Sequence, residues 1–123
     1  MIDLKPKAGD FRSEFKLVKP NKLGVTLTGT LLDSLSGKAL LSELEQSLAT
    51  SGARHVLFNL NGLVFLNSEG LNAMIRCLSL CRKRGAELWI TGGNEALNSL
   101  FISTRLNEIF TFIESQEAWM NLT

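Results

Sequence analysis

Residues 54–60, RHVLFNL, place Val56, Leu57 and Phe58 in an unbroken apolar row. Successive side chains of an extended chain point to opposite faces, so such a row needs cover on both sides. A half-solvated antiparallel sheet does not supply that cover, whereas a sheet flanked by helices does. The segment therefore reads as a central strand, and its neighbours in sequence must provide the helices.

Both neighbours have the required period. Ahead of it, SGKALLSELEQSLATSG sets Leu40, Leu41, Leu44 and Leu48 on one helical stripe, with Glu43, Glu45 and Gln46 facing outward. Ser36 is the expected N-cap of this helix and Gly52 its expected stop. Behind it, the turn-prone pair Asn61–Gly62 and a short apolar run, Leu63 to Leu66, lead to Leu71, Met74, Ile75, Leu78 and Cys81 at helical spacing. Arg82, Lys83 and Arg84 crowd the end of that second helix, where cations suit the negative pole of its dipole, and Gly85 ends it.

The remaining segments extend the pattern. FRSEFKL alternates Phe11, Phe15 and Leu17 against Arg12, Glu14 and Lys16, KPNK supplies a turn, and KLGVTLTGT alternates Leu23, Val25 and Leu27, so the chain opens with a hairpin. AELWITG reads as a buried strand, NEALNSLF as a short helix capped by Asn94, FTFIES as a last strand, and SQEAWMNLT as a helix capped by Ser115. The order is β-β-α-β-α-β-α-β-α. Because each strand-helix-strand crossover sets two strands parallel, an α/β fold is predicted: a mixed sheet of about five strands opening with a β-hairpin, with four helices packed against it. At 123 residues this makes one domain spanning 1–123, with the first ten residues loosely held.

Charge and side-chain inventory exclude several function classes. Thirteen Lys and Arg against twelve Asp and Glu leave no global field to draw the chain onto nucleic acid. No stretch approaches the roughly 18 apolar residues of a membrane span, and the N-terminus lacks a signal-peptide core, so a cytoplasmic protein without membrane insertion is expected. Cys77 and Cys81 share a helix face, and His55 is the only histidine, too few ligands for zinc; all three read as structural. A Ser-His-Asp triad would have to recruit His55, and FLNSEGL is not a G-x-S-x-G elbow. Gly92–Gly93 lacks the P-loop lysine and the G-x-G-x-x-G spacing, and Asp33, Glu69 and Glu95 have no spacing that marks a paired acid and base. No enzyme, cofactor or metal is expected.

What stands out instead is the small polar run Asn67, Ser68, Glu69 and Gly70 between an apolar run and a helix. Read from the residues alone, it is either an N-cap or a place where a modification is written. A phosphate on Ser68 would sit at the positive end of a helix, which tolerates a charge of about −1.5 to −2.

The stretch HVLFNLNGLVFLNSEGLNAMIRCLSLCRKRGAELWITGGNEALNSLF resembles the STAS family, the domain of bacterial anti-sigma factor antagonists and of the cytoplasmic tails of sulfate transporters. In that family a strand similar to VLFNL leads into D-S-[ST]-G-[LI], matched here at Ser68, Gly70 and Leu71, with Asn67 in place of Asp and Glu69 in place of a small hydroxyl residue. Gly85, Glu87, Leu88, Ile90, Leu100 and Phe101 fit a later family pattern, and TRLNEIFTFIES resembles the closing segment, with Arg105 where Gly is usual.

The resemblance implies that Ser68 is phosphorylated by a partner that is both anti-sigma factor and serine kinase, with an ATPase fold like that of histidine kinases, and that a metal-dependent serine phosphatase reverses this. It further implies a partner-binding surface on the helix beginning at Ser68: Asn67, Glu69, Gly70, Leu71 and Asn72. Asp33 is a neighbour of Ser68 on the same grounds, although TGTLLDSLSG carries one residue more than the family's usual G-x-[LI]-D. The alternative, favoured by Asn67 and Glu69, is a STAS scaffold subunit of a signalling or lipid-transport assembly in which Ser68 only caps its helix.

Overall fold

The computed structural model describes residues 10–122, so the loose N-terminus expected over residues 1–10 lies, apart from Asp10, outside the described residues. The elements are β1 (Phe11–Lys19), β2 (Lys22–Leu31), α1 (Ser34–Ser51), β3 (His55–Leu66), α2 (Ser68–Lys83), β4 (Glu87–Thr91), α3 (Glu95–Ser103), a 3-10 turn (Leu106–Glu108), β5 (Thr111–Phe112) and α4 (Gln116–Met120). They build a five-stranded sheet in the order β1-β2-β3-β4-β5. β1 and β2 are the antiparallel hairpin, and every later neighbour pair is parallel, as the crossovers require.

One core collects the inward side chains: Leu23, Val25 and Leu27 of β2, Val56, Phe58 and Leu60 of β3, Leu40, Leu44 and Leu48 of α1, and Met74, Cys77 and Cys81 of α2. Leu57, on the opposite face of β3, and Trp119 of α4 are fully buried outside that cluster. The apolar row of β3 is thus covered on both faces. The second cover is fastened by Lys22, whose Nζ donates to the carbonyls of Trp119 at 2.6 Å, Met120 at 3.0 Å and Leu122, and lies 5.4 Å from the Trp119 ring centre. Burial pushes the Lys22 ammonium below its usual pKa, and nearby Lys19 adds to this.

Several local expectations are corrected. Asn61–Gly62 is not a turn, because β3 runs unbroken from His55 to Leu66 alongside β2. Two bulges explain the misleading pattern: β3 carries one extra residue between the Thr26↔Asn59 and Thr28↔Gly62 pairs, and another, Val64, between Gly29↔Leu63 and Thr30↔Phe65. Leu60, Leu63 and Leu66 are consequently all buried at a spacing of three, which a regular strand does not allow. The cap of α1 is Asp33, not Ser36: its Oδ1 accepts from the Ser36 amide at 2.7 Å and its Oδ2 from the Ser36 hydroxyl at 3.0 Å. Leu17 and Ile75, expected on buried stripes, are exposed; β1 slips register just after Leu17. The last strand is only Thr111–Phe112. The caps at Asn94 and Ser115 and the stop at Gly52 stand as expected.

Arg105 has φ of +63°, the left-handed region that disfavours any residue with a Cβ. A backbone need for positive φ would account for the glycine that the family resemblance leads one to expect here. Arg105→Gly is expected to stabilise the fold by roughly 0.5–1 kcal/mol, read as a rise in the thermal midpoint; an unchanged or lower midpoint would show that the left-handed turn carries no strain.

Candidate functional site: the N-terminus of the second helix

β2 and β3 end side by side, with Leu31 and Leu66 as register partners, and each strand passes into a helix within three residues. Two helix N-termini therefore open at the same end of the sheet, each with its own cap. For α2 that cap is Asn67, whose Oδ1 accepts from the Gly70 amide at 3.1 Å. This bond fixes the orientation of the side-chain amide, and the opposite end is used too, since Nδ2 donates to the Leu32 carbonyl at 3.0 Å. The Asn67 amide donates to the Leu31 carbonyl at 3.4 Å. An aspartate here would cap equally well but has no proton to give Leu32, a physical reason for Asn67 in this chain.

Ser68 is the first residue of α2 and is exposed, and its hydroxyl makes no hydrogen bond to another described residue. As the first two residues of a helix, Ser68 and Glu69 have amides without intrahelical acceptors. Glu69 and Asn72 are also exposed, on the outer side of the same turn. Gly70 and Leu71 are buried and point the other way, into the sheet edge. A Cβ at Gly70 would strike the Leu31 carbonyl oxygen and come within 2.7 Å of Leu66 Cβ, so only glycine lets α2 start this close to β2 and β3. Both carboxylate oxygens of Asp33 are engaged at Ser36, making Asp33 first of all the cap of α1.

A feature the sequence did not announce lies between the two helices: a groove of about 100 Å³ lined by Ser34, Lys38, Glu69, Asn72 and Arg76 among others. The helices approach closely because Gly37 of α1 faces Ala73 of α2, where an added Cβ would sit 2.9 Å from the alanine Cβ. Small residues at Gly37 and Ala73 were the available signal, but nothing in the sequence pairs them. The second bulge of β3 is held by Asn94, whose Nδ2 donates to the carbonyls of Leu63 at 3.2 Å and Val64 at 3.0 Å. It brings Val64, 53% exposed, and Phe65, 38% exposed, to the surface just ahead of Ser68 in sequence, while α1 shows Leu35, 78% exposed. The exposed serine thus has apolar side chains near it in sequence and charged ones along the helices that follow.

The other candidates for chemistry, His55, Cys77 and Cys81, lie within β3 and α2. His55 Nδ1 lies 3.6 Å from Glu87, its register partner on β4. Both thiols are fully buried; burial raises Cys77 strongly and pushes Cys81 up to about 12, so neither offers a thiolate near neutral pH. Among the described residues no three His, Cys, Asp or Glu side chains are grouped to hold a metal ion, and no helix is long and apolar enough to cross a membrane.

The chain is similar in fold to several solved structures. An anti-sigma factor antagonist from Mycobacterium paratuberculosis is 16% identical, with 93% of this chain and 94% of that one covered at a TM-score of 0.76. The Bacillus cell fate determinant SpoIIAA in its phosphorylated form is 12% identical over 91% of this chain and 100% of its own, at 0.69. A sulfate transporter family protein from Wolinella succinogenes is 16% identical, covering 84% and 85%, at 0.64. At such identities the likeness is one of fold. The family profile of the STAS domain, however, matches residues 16–118, nearly the whole of the described chain, and on that match the chain belongs to the STAS domain family.

Proposed function

We propose that the chain acts in the cytoplasm as a single-domain, phosphorylation-gated anti-sigma factor antagonist. Unphosphorylated, it binds an anti-sigma factor that is also a serine kinase with a histidine-kinase-like ATPase fold, through Asn67, Ser68, Glu69 and Asn72 and the nearby loop at Asp33. Gly70 and Leu71 act from beneath by seating that turn. Phosphorylation of Ser68 by the partner ends the complex, and a metal-dependent serine phosphatase restores it.

The observation that carries this reading is the hydroxyl of Ser68, exposed and uncommitted at the first position of α2. A kinase reaches it without unfolding anything, and the dipole and open amides of the helix accept the phosphate. Similarity to SpoIIAA, a protein solved in both unphosphorylated and phosphorylated forms, agrees with it. Incubated with ATP and the kinase that co-purifies with it, the chain is expected to gain one phosphate by intact mass, and Ser68→Ala none. A phosphate that persists in Ser68→Ala would move the switch elsewhere.

Glu69 supports a second reading, a scaffold subunit that is never modified. Its exposed carboxylate stands in the first turn of α2, where a negative charge already suits the dipole. The likeness to a sulfate transporter family protein is compatible with such a role. An unmodified mass in the same experiment favours this reading.

A further inference from the structure

β1 is an edge strand, and among the described residues no strand pairs with the outer side of its ladder. The Asp10 carbonyl accepts from the Thr30 amide at 2.7 Å, and the ladder keeps that register through Phe11↔Gly29, Ser13↔Leu27 and Phe15↔Val25. In an antiparallel pair, residues alternate between bonding their neighbour and facing away. Even-numbered residues of β1 therefore bond β2, and Phe11, Ser13 and Phe15 turn their N–H and C=O groups to the open edge. Natural edges are blunted by charged side chains, by Pro or by a bulge that twists the edge away; over Asp10–Lys16 this edge has no Pro and no bulge, and its charges are of both signs.

What it has instead is a charge pattern that is its own complement. Read outward from Ser13, the sequence DFRSEFK pairs Arg12 with Glu14, Phe11 with Phe15 and Asp10 with Lys16. We infer that this edge binds a second copy of the chain, antiparallel, across a two-fold axis through the Ser13–Ser13 pair. In that register Arg12 of each copy faces Glu14 of the other, Asp10 faces Lys16, and Phe11 faces Phe15. Opposite charges directly across an antiparallel pair stabilise it, and here four such contacts form together. The odd-numbered residues become the mutually bonded pairs, which matches the backbone groups that β2 leaves unused.

The register is unique on charge. A shift by two residues one way sets Glu14 against Glu14 and Arg12 against Lys16; a shift the other way sets Arg12 against Arg12 and Asp10 against Glu14. A shift by an odd number opposes bonding groups to non-bonding ones. The two-fold axis stands normal to the sheet, so both copies keep their helices on the same side. The half-buried Phe11 and Phe15, already packed on the edge of the core, gain aromatic contact from the other copy. The contact is isologous and closes at two copies, giving one continuous ten-stranded sheet. It uses the far edge of the sheet from β5, two strands from the β3–α2 junction, and so does not depend on the role proposed for Ser68.

The test is sedimentation equilibrium over a concentration series at low salt. Wild type is expected to reach twice the monomer mass as concentration rises. Arg12→Glu, which sets Glu against Glu14 twice, is expected to weaken the dimer roughly tenfold or more. The double variant Arg12→Glu with Glu14→Arg restores the complement in mirror order and is expected to recover the dimer. Because both sites, Arg12 and Glu14, are exposed strand positions, circular dichroism should stay the same throughout. A wild type that remains monomeric into the hundreds of micromolar, a dimer indifferent to Arg12→Glu, or a double variant that stays as weak as the single one overturns the inference.

Discussion

Ser68→Asp is expected to weaken binding of the proposed anti-sigma partner about a hundredfold, while Ser68→Ala binds as tightly as the wild type. The reasoning is one of desolvation. Ser68 stands on an exposed turn that a partner would cover, and a charge fixed there must be stripped of water when it does. A penalty of about 3 kcal/mol, modest for a buried and unpaired charge, already corresponds to that hundredfold. Alanine removes a hydroxyl that holds nothing else in place, so its variant should also fold normally. Isothermal titration with the purified partner reads both, and equal affinities for the two variants would count against gating by charge at this residue.

Gly70→Ala is expected to cost about 3 kcal/mol and to lower the thermal midpoint by roughly 10 °C. The obstruction is a backbone carbonyl, that of Leu31, with Leu66 Cβ behind it, and neither can rotate away as a flexible side chain would. To admit the methyl group, the start of α2 must lift from the sheet, which breaks the bonds from Asn67 to Leu31 and Leu32. Gly24→Ala is the matched control: a Cβ there meets only ordinary contacts, 3.7 Å from the Lys16 carbonyl and 3.8 Å from a Val18 methyl. Its midpoint should move little. If the two variants melt together, the close seating of α2 on β2 is not what holds this edge.

Local signals in the sequence were reliable wherever one residue suffices. Asn94 and Ser115 cap their helices through their own side chains, and Gly52 takes the left-handed conformation at the end of α1, so each could be placed without knowing the fold. The strand-helix order was equally legible, because a change of hydrophobic period needs only neighbouring residues. Errors arose where a distant segment decides. β2 keeps β3 extended through Asn61–Gly62, and Gly62 is admitted because a Cβ there would meet Thr28 at 2.6 Å. Asp33 displaced Ser36 as a cap because the serine is the donor, a choice that spacing does not reveal.

The motif at Asn67–Leu71 was found from its pattern, but its construction was not. That Gly70 exists for Leu31, or that Asn67 answers Leu32, requires two strands more than thirty residues apart to end together. The groove between α1 and α2 was hidden for the same reason, since Gly37 and Ala73 acquire meaning only as a pair.

The anchoring of α2 to the carbonyls of Leu31 and Leu32 bears on how information would leave this domain. A turn bolted down at two points has no slack to trade for a new shape, so a phosphate added on its outer side would alter the local potential and leave the outline as it was. Crystals or scattering profiles of the two forms should then superimpose. The tempo of signalling would belong to the enzymes that write and erase the mark, with no slow rearrangement of the messenger in between.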